Sequence, residues 1–213
     1  MIKIENLGQI PYEEGLQLQL ELAQKRRVGE IGDTVLLLEH DPVYTIGRTR
    51  DRSSLRNSEQ LPHPLVEISR GGQATFHGPG QLVGYLILDL KHYGRDLHTY
   101  LRSLELMLID TCRQLGLPAD CRDGLTGVWI GDRKLASIGV GVRHWISLHG
   151  FAINVCGDLS PFGEITPCGI SGVEMSSVSG ELGREITTNE FANQLVPHLQ
   201  RRLADLSETD GCE

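Results

Sequence analysis

The chain has 213 residues, 39% hydrophobic and 23% charged, and a formal net charge of −8. That balance suits a globular domain and opposes non-specific binding to phosphate backbones, because long-range repulsion must first be overcome, so no nucleic acid partner is expected. Five cysteines without a Cys-x-x-Cys pair, and eight histidines without metal-ligand spacing, suggest neither a disulfide scaffold nor a metal site.

The first residues, Met1 to Leu7, lack the apolar run of a signal peptide, and no segment offers the roughly 18 unbroken apolar residues of a membrane span. A soluble, cytoplasmic monomer with no membrane association is the expectation. With no linker or repeat dividing it, the sequence reads as one catalytic-sized domain over 1–206 and a flexible tail over 207–213.

In chain order, Leu16, Leu20, Ala23 and Val28 are spaced for one face of a helix. Thr34–Leu38 and Val43–Ile46 read as strands either side of a turn at Asp41-Pro42. Leu65–Ile68 and Tyr85–Leu88 look like buried strands flanking a glycine-rich stretch, Arg70 to Gly84. A loop of that composition between core strands suits ligand binding, since glycine lets backbone amides close on a bound molecule. Asp96 caps a helix marked by Leu97, Leu101, Leu104, Leu108 and Leu115 and stopped by Gly116. Three antiparallel strands follow over 126–130, 134–142 and 145–155. Asp158 to Gly183 reads as a long irregular loop, and Asn189 to Leu206 as a helix that Pro197 kinks or breaks. Strands in groups with helices between the groups favour an α+β domain over a doubly wound sheet.

Cys168, between Pro167 and Gly169 in the irregular loop, is a candidate nucleophile or an ordinary exposed thiol. Lys134, at the start of an apolar strand, is a candidate proton partner for it or a strand-edge surface lysine. His77 and His149 each precede a glycine, which fits either cleft-facing imidazoles or ordinary histidines. The glycine-rich stretch has neither a Gly-Lys-Ser/Thr ending nor a Gly-x-Gly-x-x-Gly opening a helix, so no nucleotide cofactor is expected. Arg48, Arg50, Arg52 and Arg56 cluster around a single aspartate, and are either a solvated loop or a docking patch for an acidic partner.

Four motifs in order carry a resemblance: Arg70-Gly71-Gly72 through His77-Gly78-Pro79-Gly80-Gln81, Arg133-Lys134-Leu135-Ala136-Ser137-Ile138-Gly139, His149-Gly150-Phe151-Ala152-Ile153-Asn154, and Pro167-Cys168-Gly169-Ile170. Together they resemble the octanoyltransferases of lipoate biosynthesis over about residues 30 to 205. The resemblance implies the biotin/lipoate protein ligase-like fold, a mixed, largely antiparallel sheet flanked by helices. It implies transfer of octanoyl from octanoyl-acyl carrier protein to a lysine of the lipoyl domains of 2-oxoacid dehydrogenases or of the glycine cleavage H protein. Cys168 would be the nucleophile and Lys134 its acid/base partner, with no cofactor and no metal. Substrate contacts would fall on Arg70, Gly71, Gly72, Gln73, Ala74, Thr75, Phe76 and His77, on Ser137, Ile138 and Gly139, and on His149, Gly150, Phe151 and Ala152. Phe76 stands where the family commonly has tyrosine, so a role for that hydroxyl is in doubt. An ATP-dependent lipoate or biotin ligase shares the fold but requires no cysteine nucleophile, and a non-enzymatic carrier-binding protein would have no use for the Cys168 and Lys134 pair.

Overall fold

The computed structural model describes residues 2–48, 52–56, 60–166 and 172–208. Its elements in chain order are β1 (Lys3–Ile10), α1 (Tyr12–Arg27), β2 (Thr34–His40), β3 (Val43–Ile46), β4 (Leu65–Glu67), β5 (Thr75–His77), β6 (Gln81–Ile87), α2 (Leu97–Gln114), β7 (Asp120–Arg122), β8 (Leu125–Ile130), β9 (Arg133–Arg143), β10 (Ile146–Asn154), β11 (Glu174–Met175), α3 (Val178–Leu182) and α4 (Thr188–Glu208). The main sheet runs β1-β2-β6-β10-β9-β8-β7, with β11 beside β9, and a small second sheet runs β4-β3-β5. Among the described residues, only β1 with β2, and β11 with β9, pair parallel in the main sheet. This is the expected α+β fold, a mixed and mostly antiparallel sheet flanked by helices.

Side-chain alternation along the strands divides the core. On β2, Val35 and Leu37 join Leu82, Leu86 and Ile153 beneath α2 and α4, while Leu36 and Leu38 join Val83, Tyr85 and Ala152 on the face that α1 covers. The small sheet keeps its own core of Tyr44, Ile46, Ala74, Phe76 and Phe162.

Where local signals agree, the elements form as expected. The Asp96 carboxylate accepts from the amides of His98 and Thr99 at the start of α2, and Gly116 ends the helix at φ 92°. The hairpin of β8, β9 and β10 also forms as read.

Elsewhere tertiary context overrides the pattern. The helix at α1 forms, but its covered face is Tyr12, Gly15 and Gln19, whereas Leu20 and Val28 are exposed. The Arg70 to Gly84 stretch is not one loop, since Thr75–His77 is a strand of the small sheet and β6 already starts at Gln81. β4 is half-buried rather than a core strand. The segment from Asp158 to Gly183 holds a short 3₁₀ turn, β11 and α3. Cys121 lies on β7. Helix α4 continues through Pro197 without a break. Pro197 and Asn193, whose carbonyl loses its helical donor, are both exposed, so water can take that bond while Leu195, Leu199 and Leu203 stay buried. Residues 207 and 208 extend this helix, and 209–213 lie outside the described residues.

Gly84 shows how closely the central strands approach. A Cβ there would lie 2.1 Å from Cε1 of the Phe151 ring, opposite it in register on β10. Gly84→Ala is therefore expected to lower stability by about 1–3 kcal/mol through overpacking, read from urea unfolding. An unchanged midpoint would mean that the ring moves aside freely.

Candidate active site

Small residues hollow out the α1 face of the sheet. Ser137 pairs across β9 and β10 with Ala152, and Gly139 with Gly150, while Val83 and Tyr85 of β6 stand beside Ala152 and Gly150. These six positions floor a cleft that encloses about 490 Å³ of empty space, part of it open to solvent, and Ile138 and Phe151 also line it. Arg70, Gly71 and Gly72 form the roof, tied down where the Gly71 amide donates to the Val140 carbonyl at 3.1 Å. A Cβ on Gly139 would stand 3.1 Å from Arg70 Cδ, so a small residue is needed for the roof to sit this low. Tyr12 from α1 and Ile68 complete the wall with Thr75, His77 and His149. The apolar lining with a few polar groups suits a small ligand.

A chain of buried hydrogen bonds runs from the roof to β9. Arg70 Nη2 donates to Thr45 Oγ1 at 2.9 Å and to Thr45 O at 3.0 Å. Thr45 Oγ1 and His77 Nε2 are 3.3 Å apart, and His77 Nδ1 lies 2.7 Å from Gln81 Oε1. Gln81 Nε2 donates to Asn154 Oδ1 at 2.9 Å, Asn154 Nδ2 donates to the Ser176 carbonyl at 3.1 Å, and the Ser176 amide donates to the Lys134 carbonyl at 3.0 Å. Gln81 Oε1 can only accept, so His77 carries its proton on Nδ1, and Nε2 is free to take the Thr45 hydroxyl. A neutral imidazole satisfies the whole chain.

The electrostatics agree with that tautomer. Burial, and then the neighbouring His40, push the His77 pKa down to about 3. Burial and then the Arg70 charge bring His149 down to about 4, and burial lowers His40 as well. Three imidazoles are thus held neutral around a permanently charged guanidinium. His149 is also a backbone outlier, with φ 60° inside β10 and its amide donating to Gln19 Oε1 at 2.8 Å. Its Nε2, like Thr75 Oγ1, is buried on the cleft wall without a hydrogen-bond partner among the described residues. Groups in that state are suited to meet polar atoms of a ligand.

Lys134 has no exposed surface, so it is not a strand-edge surface lysine. It precedes Ser137 by three residues on β9, roughly 10 Å along the strand from the cleft floor. Cys168 lies outside the described residues. Cys112 is buried in α2, where burial pushes its thiol up to about 12. Burial also raises the half-buried Cys156 thiol.

Of the positions anticipated for substrate, Arg70, Gly71, Gly72, Thr75, His77, Ser137, Ile138, Gly139, His149, Gly150, Phe151 and Ala152 come together on the cleft. Gln73, Ala74 and Phe76 do not appear in its described lining, and the last two pack in the small sheet's core. Phe76 meets Tyr44 and Phe162 ring to ring, an environment in which a tyrosine hydroxyl would need its own partner. Arg48, Arg52 and Arg56 are exposed, with Arg52 Nη2 3.3 Å from Glu67 Oε1, and Arg50 lies outside the described residues. Tyr12, Tyr85, Thr45 and Asn154 were not anticipated at the site. Gln81 and Asn154 did carry a signal, being amides at the ends of apolar strands. Among the described residues no group of three or more His, Cys, Asp or Glu side chains could hold a metal, and no helix is long and apolar enough to cross a membrane.

Residues 11–200 match the lipoyl protein ligase A/B catalytic domain family. An octanoyltransferase of Geobacter sulfurreducens is 52% identical over 220 residues, covering 100% of this chain and 92% of that protein. One of Rubrobacter xylanophilus is 48% identical over 204 residues, covering 93% and 91%. Among solved structures, lipoate-protein ligase A bound with ATP superposes with a TM-score of 0.77 at 16% identity, over 98% of this chain and 91% of that one. The biotin protein ligase from Aquifex aeolicus in complex with biotin and ATP gives 0.65 at 13% identity, over 97% and 72%. At such identities the ligases attest the fold alone, whereas the curated relatives attest the activity class. With the family match spanning most of the chain and relatives near half identical along nearly their whole length, this chain belongs to the octanoyltransferases of the lipoyl protein ligase A/B family and is an acyltransferase.

Proposed function

We infer that this protein, as one catalytic domain, moves an octanoyl group from octanoyl-acyl carrier protein to a lysine of a lipoyl domain or of the glycine cleavage H protein. The acyl group passes through a thioester on Cys168, with Lys134 as the acid/base. The observation that carries the reading is a lysine with no exposed surface, Lys134, on the same strand β9 that gives Ser137 and Gly139 to the cleft floor. An amine so enclosed exchanges protons only with groups it touches.

In the first half-reaction the Cys168 thiol gives its proton to Lys134, and the thiolate attacks the thioester carbonyl. The tetrahedral adduct collapses with loss of the carrier's pantetheine thiolate, which takes the proton back from Lys134. In the second, the acceptor amine attacks the acyl-cysteine, its surplus proton passes through Lys134, and the Cys168 thiol is restored as the amide forms. One thioester is exchanged for another at nearly equal free energy, and amide formation drives the rest, so no nucleotide is consumed. The Thr75 hydroxyl, without a partner among the described residues on the cleft wall, can donate to the bound acyl group, and neutral His77 adds no charge to the slot.

Intact mass spectrometry after mixing with octanoyl-acyl carrier protein, without ATP, is expected to find one octanoyl adduct on the wild type and none on Cys168→Ala. An adduct that survives the substitution, or one that forms only with ATP, would overturn the mechanism.

A further inference from the structure

We propose that Trp129 is a positioning residue for Lys134, holding the lysine's ammonium group in place through contact with the indole face. The proposal deepens the acid/base reading of Lys134 and rests on it. Lys134 Nζ lies 5.2 Å from the centre of the Trp129 ring, and the two residues are cross-strand partners on β9 and β8. Both are buried, at 0% and 2% exposure. Lys134 becomes a cation when it takes the Cys168 proton, and a cation desolvated against an indole face is attracted by the ring's negative π surface more strongly than one in water.

Independent local features direct this contact. The pairing of β8 with β9 shifts register between Val128 and Trp129, an irregularity of the kind that re-aims side chains beside active sites. Gly127 has φ 135°, and a Cβ there would stand 2.7 Å from Lys134 Cε and 2.5 Å from the Ala136 carbonyl. The missing side chain is therefore the channel through which the lysine stem runs. Gly127 is fixed in turn by its amide donating to Glu105 Oε1 at 2.9 Å, and Glu105 pairs with Arg102 at 3.1 Å. Trp129 Nε1 has no hydrogen-bond partner among the described residues, so the indole serves through its face rather than its N–H. Arg122 lies over the same ring at 5.4 Å, making the indole a shared support for two cations. The Ser176 amide pins the Lys134 backbone, Gly127 leaves room for the stem, and Trp129 stops the tip.

Two measurements test this on the intact protein. The chain has two tryptophans, so in a Trp145→Phe background Trp129 alone emits. Adding Lys134→Met, which keeps the stem and removes the charge, is expected to change the Trp129 emission intensity, and identical spectra would overturn the contact whatever Lys134 does in catalysis. In single-turnover acylation by octanoyl-acyl carrier protein, Trp129→Leu is expected to slow the reaction about tenfold with KM changed less than about twofold, and Trp129→Phe to stay within about threefold of wild type. If Lys134→Met is inactive while Trp129→Leu runs at the wild-type rate, positioning by Trp129 is overturned and the acid/base reading stands. If Lys134→Met itself turns over normally, the acid/base reading fails. A loss in Trp129→Leu that phenylalanine does not rescue assigns Trp129 to core packing alone and overturns the proposal. Should the leucine variant not fold, the phenylalanine variant and the emission measurement still decide.

Discussion

Lys134→Met is expected to slow acyl-enzyme formation by about 10²–10⁴-fold, the range a positioned acid/base contributes. Methionine fills the channel left by Gly127, so the stem's packing survives and the loss reports on the amine. Without it the reaction depends on thiolate formed directly in water. The residual rate should then climb about tenfold per pH unit until it approaches a thiol's reference pKa of about 8.5. Single-turnover acylation between pH 6 and 9, followed by intact mass, reads both effects. A loss under about threefold, or wild-type and variant profiles of the same shape, would remove Lys134 from the proton transfer.

The fold could be read where several local signals coincide. Helix α2 has an N-cap at Asp96, an apolar stripe and a left-handed glycine stop at Gly116, so no tertiary information was needed. β1 escaped notice because Lys3–Ile10 alternates mixed residues at the sheet's edge, with no buried run to mark it. Helix α1 forms as expected, and of its expected face Leu16 and Ala23 pack inward while Leu20 and Val28 are exposed. Its fully buried residues are Tyr12, Gly15 and Gln19, and Leu16, Leu18, Leu22 and Ala23 pack half-buried beside them, so the spacing of apolar residues marks only part of the inward face.

The site divides the same way. Cys168 and Lys134 stand out by type and setting, but only the four motifs together joined them into one mechanism. The polar cradle was beyond local reading, because its hydrogen bonds join residues far apart in sequence. His40 meets Tyr85 across 45 positions, at 2.6 Å, and Gln81 meets Asn154 across 73. Each is a polar residue in an apolar neighbourhood, a visible anomaly whose partner only the folded sheet supplies.

That cradle sets the second large effect, a loss of stability on mild acidification. His40, His77 and His149 all have folded pKa values below the ordinary 6.5, with His77 near 3 and His149 near 4, so between those values and 6.5 the unfolded chain binds more protons than the folded one. Stability should be fully present above about pH 6.5 and decline as pH falls, toward 4 for the His149 contribution and 3 for that of His77. Each imidazole can remove at most about 1.4 kcal/mol per pH unit in its window. The carboxylates held low by hydrogen bonds or ion pairs, such as Asp96 and Glu181, begin to contribute only near their own lower reference values. Between about pH 6.5 and 5.5 the decline therefore belongs to the histidines. His77→Asn keeps a polar side chain beside Gln81 and cannot titrate. It should lower stability at pH 7 yet flatten the slope in this range by about 1 kcal/mol per pH unit. Urea unfolding at a series of pH values measures both. An undiminished slope in the variant would mean that His77 takes up its proton as readily in the folded state as in the unfolded chain, which contradicts a neutral imidazole locked between Thr45 and Gln81.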